Sequence, residues 1–243
     1  MKKIVAVIGS PNNEKSNTIA MTKDFLDAVI SCSSDTEYEI ISLGDKNLGM
    51  CRGCWACTKA GCCVLQDDLQ EIQKKILDSD LFILGSPVYV HNVSAQTKVL
   101  LDRLFIWLHT VRLMGKPALT AVTTAGSGMK ETEKYLDSML AVLGNIVVGH
   151  LRGIAYQPGE FPKRELLREK HRSLAQKTAR ILEGDIKIRP TFKNSYFFWG
   201  MKYKVKFSQG KLSYEDKYWR EKGWMDMSFK KAMLAEQKAV KGQ

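Results

Sequence analysis

The stretch from Lys2 to Thr18, KKIVAVIGSPNNEKSNT, constrains this chain more than any other. Ile4-Val5-Ala6-Val7-Ile8 is an unbroken apolar run rich in β-branched residues, the pattern of a strand buried on both faces of a parallel sheet. It stops at Gly9-Ser10-Pro11, and a polar loop from Asn12 to Thr18 follows. Apolar residues then recur at Ile19, Met21, Phe25, Leu26 and Val29, so the loop feeds the N-terminus of an amphipathic helix. Strand, hydroxyl-rich turn and helix start predict an anion site, because free backbone N–H groups and the positive end of the helix dipole converge there. The hydroxyls of Ser10, Ser16 and Thr18 and the amide of Asn17 add neutral donors. The plainer alternative is an ordinary βα loop with Ser or Thr as the helix cap.

Two other phosphate loops are excluded, since the chain holds neither G-x-x-x-x-G-K-[ST] nor G-x-G-x-x-G. A hydroxyl-lined loop without glycine repeats suits a terminal monophosphate better than a pyrophosphate.

Strand and helix patterns then alternate along the chain. Glu37–Leu43 reads as a second strand, Leu69–Leu77 as a helix and Asp80–Ser86 as a third strand. A helix is predicted from about Ser94 to Trp107, a fourth strand over Pro117–Thr124 and a helix over Glu131–Leu143. Asn145–Gly149 gives a short fifth strand, and Arg164–Leu182 a long helix ending at Gly184. This rhythm predicts an α/β fold, a doubly wound five-stranded parallel sheet in three α/β/α layers. The expected organisation is one domain over 1–184 and a C-terminal helical extension over 185–243.

In such sheets ligands bind beyond the carboxyl ends of the strands. Three loops fall there. The first, Ser10–Thr18 with Pro11, suits a phosphate. The second, Pro87-Val88-Tyr89-Val90-His91-Asn92, carries an aromatic on a stiff loop that can flank a flat ring. The third, Thr123-Thr124-Ala125-Gly126 and on to Gly128, is small enough for backbone to approach a planar heterocycle. Together they describe a site for a phosphate-tethered flat ring.

Ile8-Gly9-Ser10-Pro11…Ser16-Asn17-Thr18, Gly85-Ser86-Pro87-Val88-Tyr89…Ser94-Ala95-Gln96…Asp102-Arg103 and Cys51-x-x-Cys54-x-x-Cys57…Cys63 together resemble the NADPH-dependent FMN reductase family of flavodoxin-like proteins, over about residues 1–184. Within it the chain is most similar to the iron–sulfur flavoprotein branch. The resemblance implies non-covalent FMN in the three loops, NAD(P)H as electron donor, a small-molecule or protein electron acceptor, and a homodimer or homotetramer. Many relatives carry an Arg shortly after the Ser-Pro, where this chain has Asn12-Asn13, so one phosphate contact is either absent or supplied by Lys15. Hydride transfer through a flavin needs no protein acid or base, so no catalytic residue is assigned.

Five of the six cysteines fall between Met50 and Asp68, in MCRGCWACTKAGCCVLQDD. Thiolates at C-x2-C-x2-C spacing can wrap an iron–sulfur cubane, with a fourth ligand further on. Cys51, Cys54, Cys57 and Cys63 look like the compact [4Fe–4S] motif of iron–sulfur flavoproteins, with Cys62 as a neighbour. Reduced structural thiols, a redox disulfide and zinc remain alternatives. Cys32 reads as a packed small hydrophobe, and His91, His109, His150 and His171 as scattered; His91, in the second loop, is the one placed for proton donation. Asp67-Asp68 reads as a helix cap, Asp102-Arg103 as a helix-face pair or subunit contact.

The formal charge of +11 comes from the last third: residues 1–160 carry 16 basic and 17 acidic side chains, residues 161–243 carry 21 and 9. A basic tail can bind nucleic acid, but solvated basic faces and faces that attract anionic cofactors are commoner, so no nucleic acid partner is expected. No apolar run approaches the ~20 residues of a membrane span, and no signal-peptide pattern precedes the first strand, so neither a membrane partner nor export is expected and a cytoplasmic protein is. From Asp185 on, aromatics from Phe192 to Trp224 interleave with lysines, and Gly200, Gly210 and Gly223 are expected to break the segment into short helices. So many aromatics should pack on the domain, over the flavin mouth or a dimer seam.

Overall fold

In the computed structural model, residues 1–33, 35–208 and 213–241 are described. The apolar runs form β1 (Lys2–Ile8), β2 (Thr36–Ser42), β3 (Leu81–Tyr89), β4 (Asn92–Val93), β5 (Pro117–Thr124) and β6 (Ile146–Ile154). Five of these are parallel, in the order β2-β1-β3-β5-β6, and β4 folds back antiparallel on the end of β3. Between them run α1 (Asn17–Cys32), α2 (Ala56–Ala60), α3 (Leu69–Asp78), α4 (Ala95–Arg103), α5 (Phe105–His109), α6 (Met129–Leu143) and α7 (Arg164–Glu183).

Alternation along β1 builds the three layers. Val5 and Val7 enter a core shared with Leu69, Ile72 and Ile76 of α3 and Leu136 and Leu140 of α6. Ile4, Ala6 and Ile8 face the other way, against Phe25 and Leu26 of α1 and Ala175 and Ala179 of α7. Successive side chains of a strand point to opposite faces, so a continuous apolar run is what a sheet covered on both sides requires.

Two expectations are corrected. The fifth parallel strand runs on to Ile154, because a bulge at Val148 restores its pairing: Ala118 opposes Val147, but Leu119 opposes Gly149. The helix expected from Ser94 to Trp107 is broken at Leu104, whose φ of −86° and ψ of 13° lie outside the helical range. No Gly or Pro marks that break in the sequence.

The extension forms α8 (Phe192–Phe207), α9 (Ser213–Glu221) and α10 (Phe229–Lys241). Gly200 lies inside α8 and does not end it; Gly223 does end a helix, with φ 65°; Gly210 lies outside the described residues. Phe198, Trp219, Trp224 and Phe229 join Val111 and Ile146 in a third core, with the Phe198 and Trp219 rings 4.8 Å apart. Burying one such side chain contributes about 1.5–3 kcal/mol, enough in sum to fasten the extension to the sheet domain. Among the described residues no helix is long and apolar enough to cross a membrane.

Candidate functional site

A cleft of about 230 Å³ opens at the carboxyl edge of the sheet, where the loops after β1, β3, β5 and β6 meet. Ser10, Ser16, Asn17, Thr18, Pro87, Val88, Tyr89, Thr123, Thr124 and Ala125 line it, as expected from the sequence. Four expected residues do not. Pro11 is turned to solvent; Val90 stands at a hairpin tip, 98% exposed; Asn92 pairs with Tyr89 in that hairpin; and the Gly126 N–H folds back onto Thr124 Oγ1. The lining also includes Asn12, Ala155, Tyr156, Gln157 and Pro158. The last four follow β6, and a strand ending at Gly149 hid them.

The floor of the cleft is the start of α1. Ser16 caps the helix, its Oγ accepting from the Ile19 N–H at 3.2 Å, while the N–H groups of Asn17 and Thr18 meet no acceptor among the described residues. Both therefore remain available to an anion, with the helix dipole behind them. The Asn17 amide is used elsewhere: Nδ2 donates to the carbonyls of Gln157 at 2.6 Å and Glu160 at 3.2 Å, fastening the rim. Ser94 Oγ, capping α4, donates to the Gly9 carbonyl and holds the first loop from below.

At the tip of the β3–β4 hairpin Val90 and His91 both take positive φ, 49° and 60°, a left-handed pair that a β-branched residue adopts only under strain. His91 Nε2 lies 3.0 Å from Ser127 Oγ and ties the tip to the loop after β5. A larger groove of about 360 Å³ lies away from the strand ends, between α1 and α7, where Asp24 already holds Arg164 and Arg168. Cys32 lines that groove and is exposed, not packed.

The cysteine segment leaves the same edge of the sheet after β2. Cys51, Cys54 and Cys62 are exposed, Cys57 and Cys63 half-buried, and none is in a disulfide. Burial pushes the Cys57 thiol up, and Cys63, Cys51 and Cys54, which lie within electrostatic range of it, push it further. Among the described residues, the trio whose ligand atoms all lie within 4.8 Å is Glu133, Asp137 and His150, not a set of cysteines. Tetrahedral zinc, with Zn–S near 2.3 Å, needs sulfurs about 3.8 Å apart. No three cysteine sulfurs among the described residues are gathered that closely. Glu133 is already paired with Arg152, whose Nη2 donates at 2.6 Å, and His150 meets Thr120 Oγ1 at 3.0 Å, so two members of the trio already have protein partners.

Arg103 departs from expectation, and Asp67 does more than cap α3, although its Oδ1 accepts from the Leu69 N–H at 3.1 Å. Asp67 is 6% exposed and pairs with the wholly buried Arg103 at 2.7 Å, while Asp102 pairs with Lys98. Asp68 Oδ2 accepts from the Asn47 N–H and makes no cap bond. The extension does not reach the cleft: among its described residues none lines it, and α9 packs instead on the cysteine segment, with Tyr214 against Gly61.

This sheet order, with a cleft at the strand ends, defines a flavodoxin-like fold, and solved structures agree. An FMN-dependent NADH-azoreductase of Bacillus anthracis superposes with a TM-score of 0.53 at 16% identity, over 74% of this chain and 99% of that one. The family described as NADPH-dependent FMN reductase matches residues 2–157, and the chain belongs to it. An iron–sulfur flavoprotein of Archaeoglobus fulgidus is 30% identical over 226 residues, covering 92% of this chain and all of that one. Another, from Methanocaldococcus jannaschii, is 33% identical over 192 residues, 74% of this chain and 97% of the relative.

Proposed function

We propose that this protein is an FMN-dependent oxidoreductase that also holds a [4Fe–4S] cluster on Cys51, Cys54, Cys57 and Cys63, and that electrons from NAD(P)H reach a small-molecule or protein acceptor through the two. The observation that carries the flavin half is the pair of open N–H groups, Asn17 and Thr18, at the floor of a strand-end cleft. These N–H groups and the hydroxyls of Ser10, Ser16 and Thr18 would hold the phosphate, and Tyr89 and the Thr123–Ala125 loop would border the ring. When bound, FMN supplies two-electron exchange with a nicotinamide and one-electron exchange with an iron–sulfur centre.

For the cluster, the donor set is Cys51, Cys54 and Cys57 at C-x2-C-x2-C spacing with Cys63 further on, and the two relatives above are named iron–sulfur flavoproteins. The unpaired cysteines suit the reducing cytoplasm. We take 1–184 as the flavin domain and 185–243 as a support for the cysteine segment. We further read α8 as a seam between copies in a homodimer or homotetramer. It presents Phe192, Tyr196, Trp199, Tyr203 and Phe207 along one face, each more than half exposed.

Anaerobic purification with a visible spectrum, iron and sulfide assays and NAD(P)H oxidation tests the reading. Flavin bands, a broad brown absorbance and about four irons per chain are expected. Flavin alone with full NAD(P)H turnover would favour a simple FMN reductase; a colourless chain that cannot take up FMN refutes both.

A further inference from the structure

Arg103 is the last residue of α4, and its side chain is wholly buried. Nη1 donates to the Gly49 carbonyl at 2.6 Å and to Asp67 Oδ2 at 2.7 Å, and Nη2 donates to Asp67 Oδ1 at 3.1 Å. Gly49 stands just before Cys51 and Asp67 just after Cys63, so one guanidinium grips both ends of the segment that carries all five clustered cysteines. Asp67 completes the neck by accepting from the N–H groups of Gly49 at 3.0 Å and Leu69 at 3.1 Å.

One donor is left over. Arg103 Nε is buried and has no hydrogen-bond partner among the described residues. A buried donor left unpaired costs about 1–3 kcal/mol, so it marks an acceptor still to be supplied. The Cys63 sulfur also lies against this guanidinium. A neutral thiol is a poor acceptor; a thiolate bound to iron is a good one.

We infer that Arg103 is a positioning residue for the iron–sulfur site, clamping the neck of the cysteine loop while its Nε–H donates to the Cys63 sulfur that ligates iron. The inference rests on the cluster reading above. A hydrogen bond to a ligating sulfur withdraws electron density and favours the reduced cluster, so it raises the potential. Asp67 offsets the positive charge through its two bonds to the guanidinium. Lysine would keep the charge but lose both the fork and the Nε–H.

The test uses full-length protein, loaded with FMN and reconstituted anaerobically with iron and sulfide, as wild type, Arg103→Lys and Asp67→Asn. Arg103→Lys should keep FMN at the wild-type ratio and lose iron to a chelator at about ten-fold lower concentration, as loss of an outer partner does at other metal sites. Its remaining cluster should titrate at a more negative potential. Asp67→Asn keeps the donor and removes the opposing charge, so its cluster should titrate at a more positive one. Opposite shifts support donation. Unchanged iron retention and potential in Arg103→Lys overturn it, as do shifts of the same sign, which mark mere loosening of the loop. Should Arg103→Lys fail to fold or load, Asp67→Asn decides alone, by a positive shift or its absence. Wild-type protein that takes up no iron sinks the cluster reading and this inference with it, whereas a loaded wild type with indifferent variants sinks only the role of Arg103.

Discussion

Thr18 Oγ1 and Thr123 Oγ1 lie 2.6 Å apart in a buried hydrogen bond that joins the first turn of α1 to the end of β5, 105 residues further along the chain. Both residues line the cleft. Thr123→Val keeps the shape of the side chain and strands the Thr18 hydroxyl. The expected loss is about 1–3 kcal/mol in urea unfolding, together with weaker FMN binding. An unchanged midpoint would show that water or a relaxed rotamer replaces the bond.

Ser16 joins the cap of α1 to the anion site. Ser16→Ala should destabilise the protein by about 0.5–2 kcal/mol and raise the Kd for FMN, read by quenching of flavin fluorescence. A stability loss with unaltered FMN affinity would remove Ser16 from the site and leave it a cap.

Glu215 makes docking of the extension depend on acid. Its side chain is 1% exposed, and His109 Nδ1 at 2.5 Å and Lys204 Nζ at 3.0 Å face it from α5 and α8. Burial pushes the carboxyl up, but these two partners outweigh it and leave it below its ordinary 4.5. A carboxyl depressed in the folded state contributes stability above its unfolded value and loses it as the pH falls through the folded one. The emission of Trp219 and Trp224 should therefore shift below about pH 4.5, and Glu215→Gln should flatten that transition. Identical acid profiles for the two proteins would contradict the assignment.

The exposed face of α8 makes a prediction about assembly. Trp199 and Tyr203 are 60% and 53% exposed, with ring centres 5.7 Å apart. Trp199→Glu with Tyr203→Glu alters residues outside the third core and should lower the sedimentation coefficient while flavin content stays constant. A coefficient equal to that of wild type would place the seam elsewhere.

Most of the sheet was legible because parallel strands need long apolar runs, and β1, β3 and β5 have them. Ten cleft residues were legible for a related reason: in a doubly wound sheet the strand ends fix where the loops gather. What was hidden depended on distant partners. Nothing local shows that Arg103 leaves Asp102 and reaches across to Asp67, or that the Asn17 amide is spent on the rim. The cleft wall from Ala155 to Pro158 was lost to the bulge at Val148, and Gly200 was overruled by the packing of Phe198 and Val205 on either side of it.

A Cβ at Gly61 would stand 2.2 Å from Tyr214 Cε2, at a φ of 78° that already disfavours a side chain. The bare Cα is the seat on which the end of the chain comes to rest against its sulfur-bearing loop. Tail and loop thus behave as one mechanical unit: a neighbour that pulls on the tail tugs the thiols, and any rearrangement among the thiols is felt at the tail.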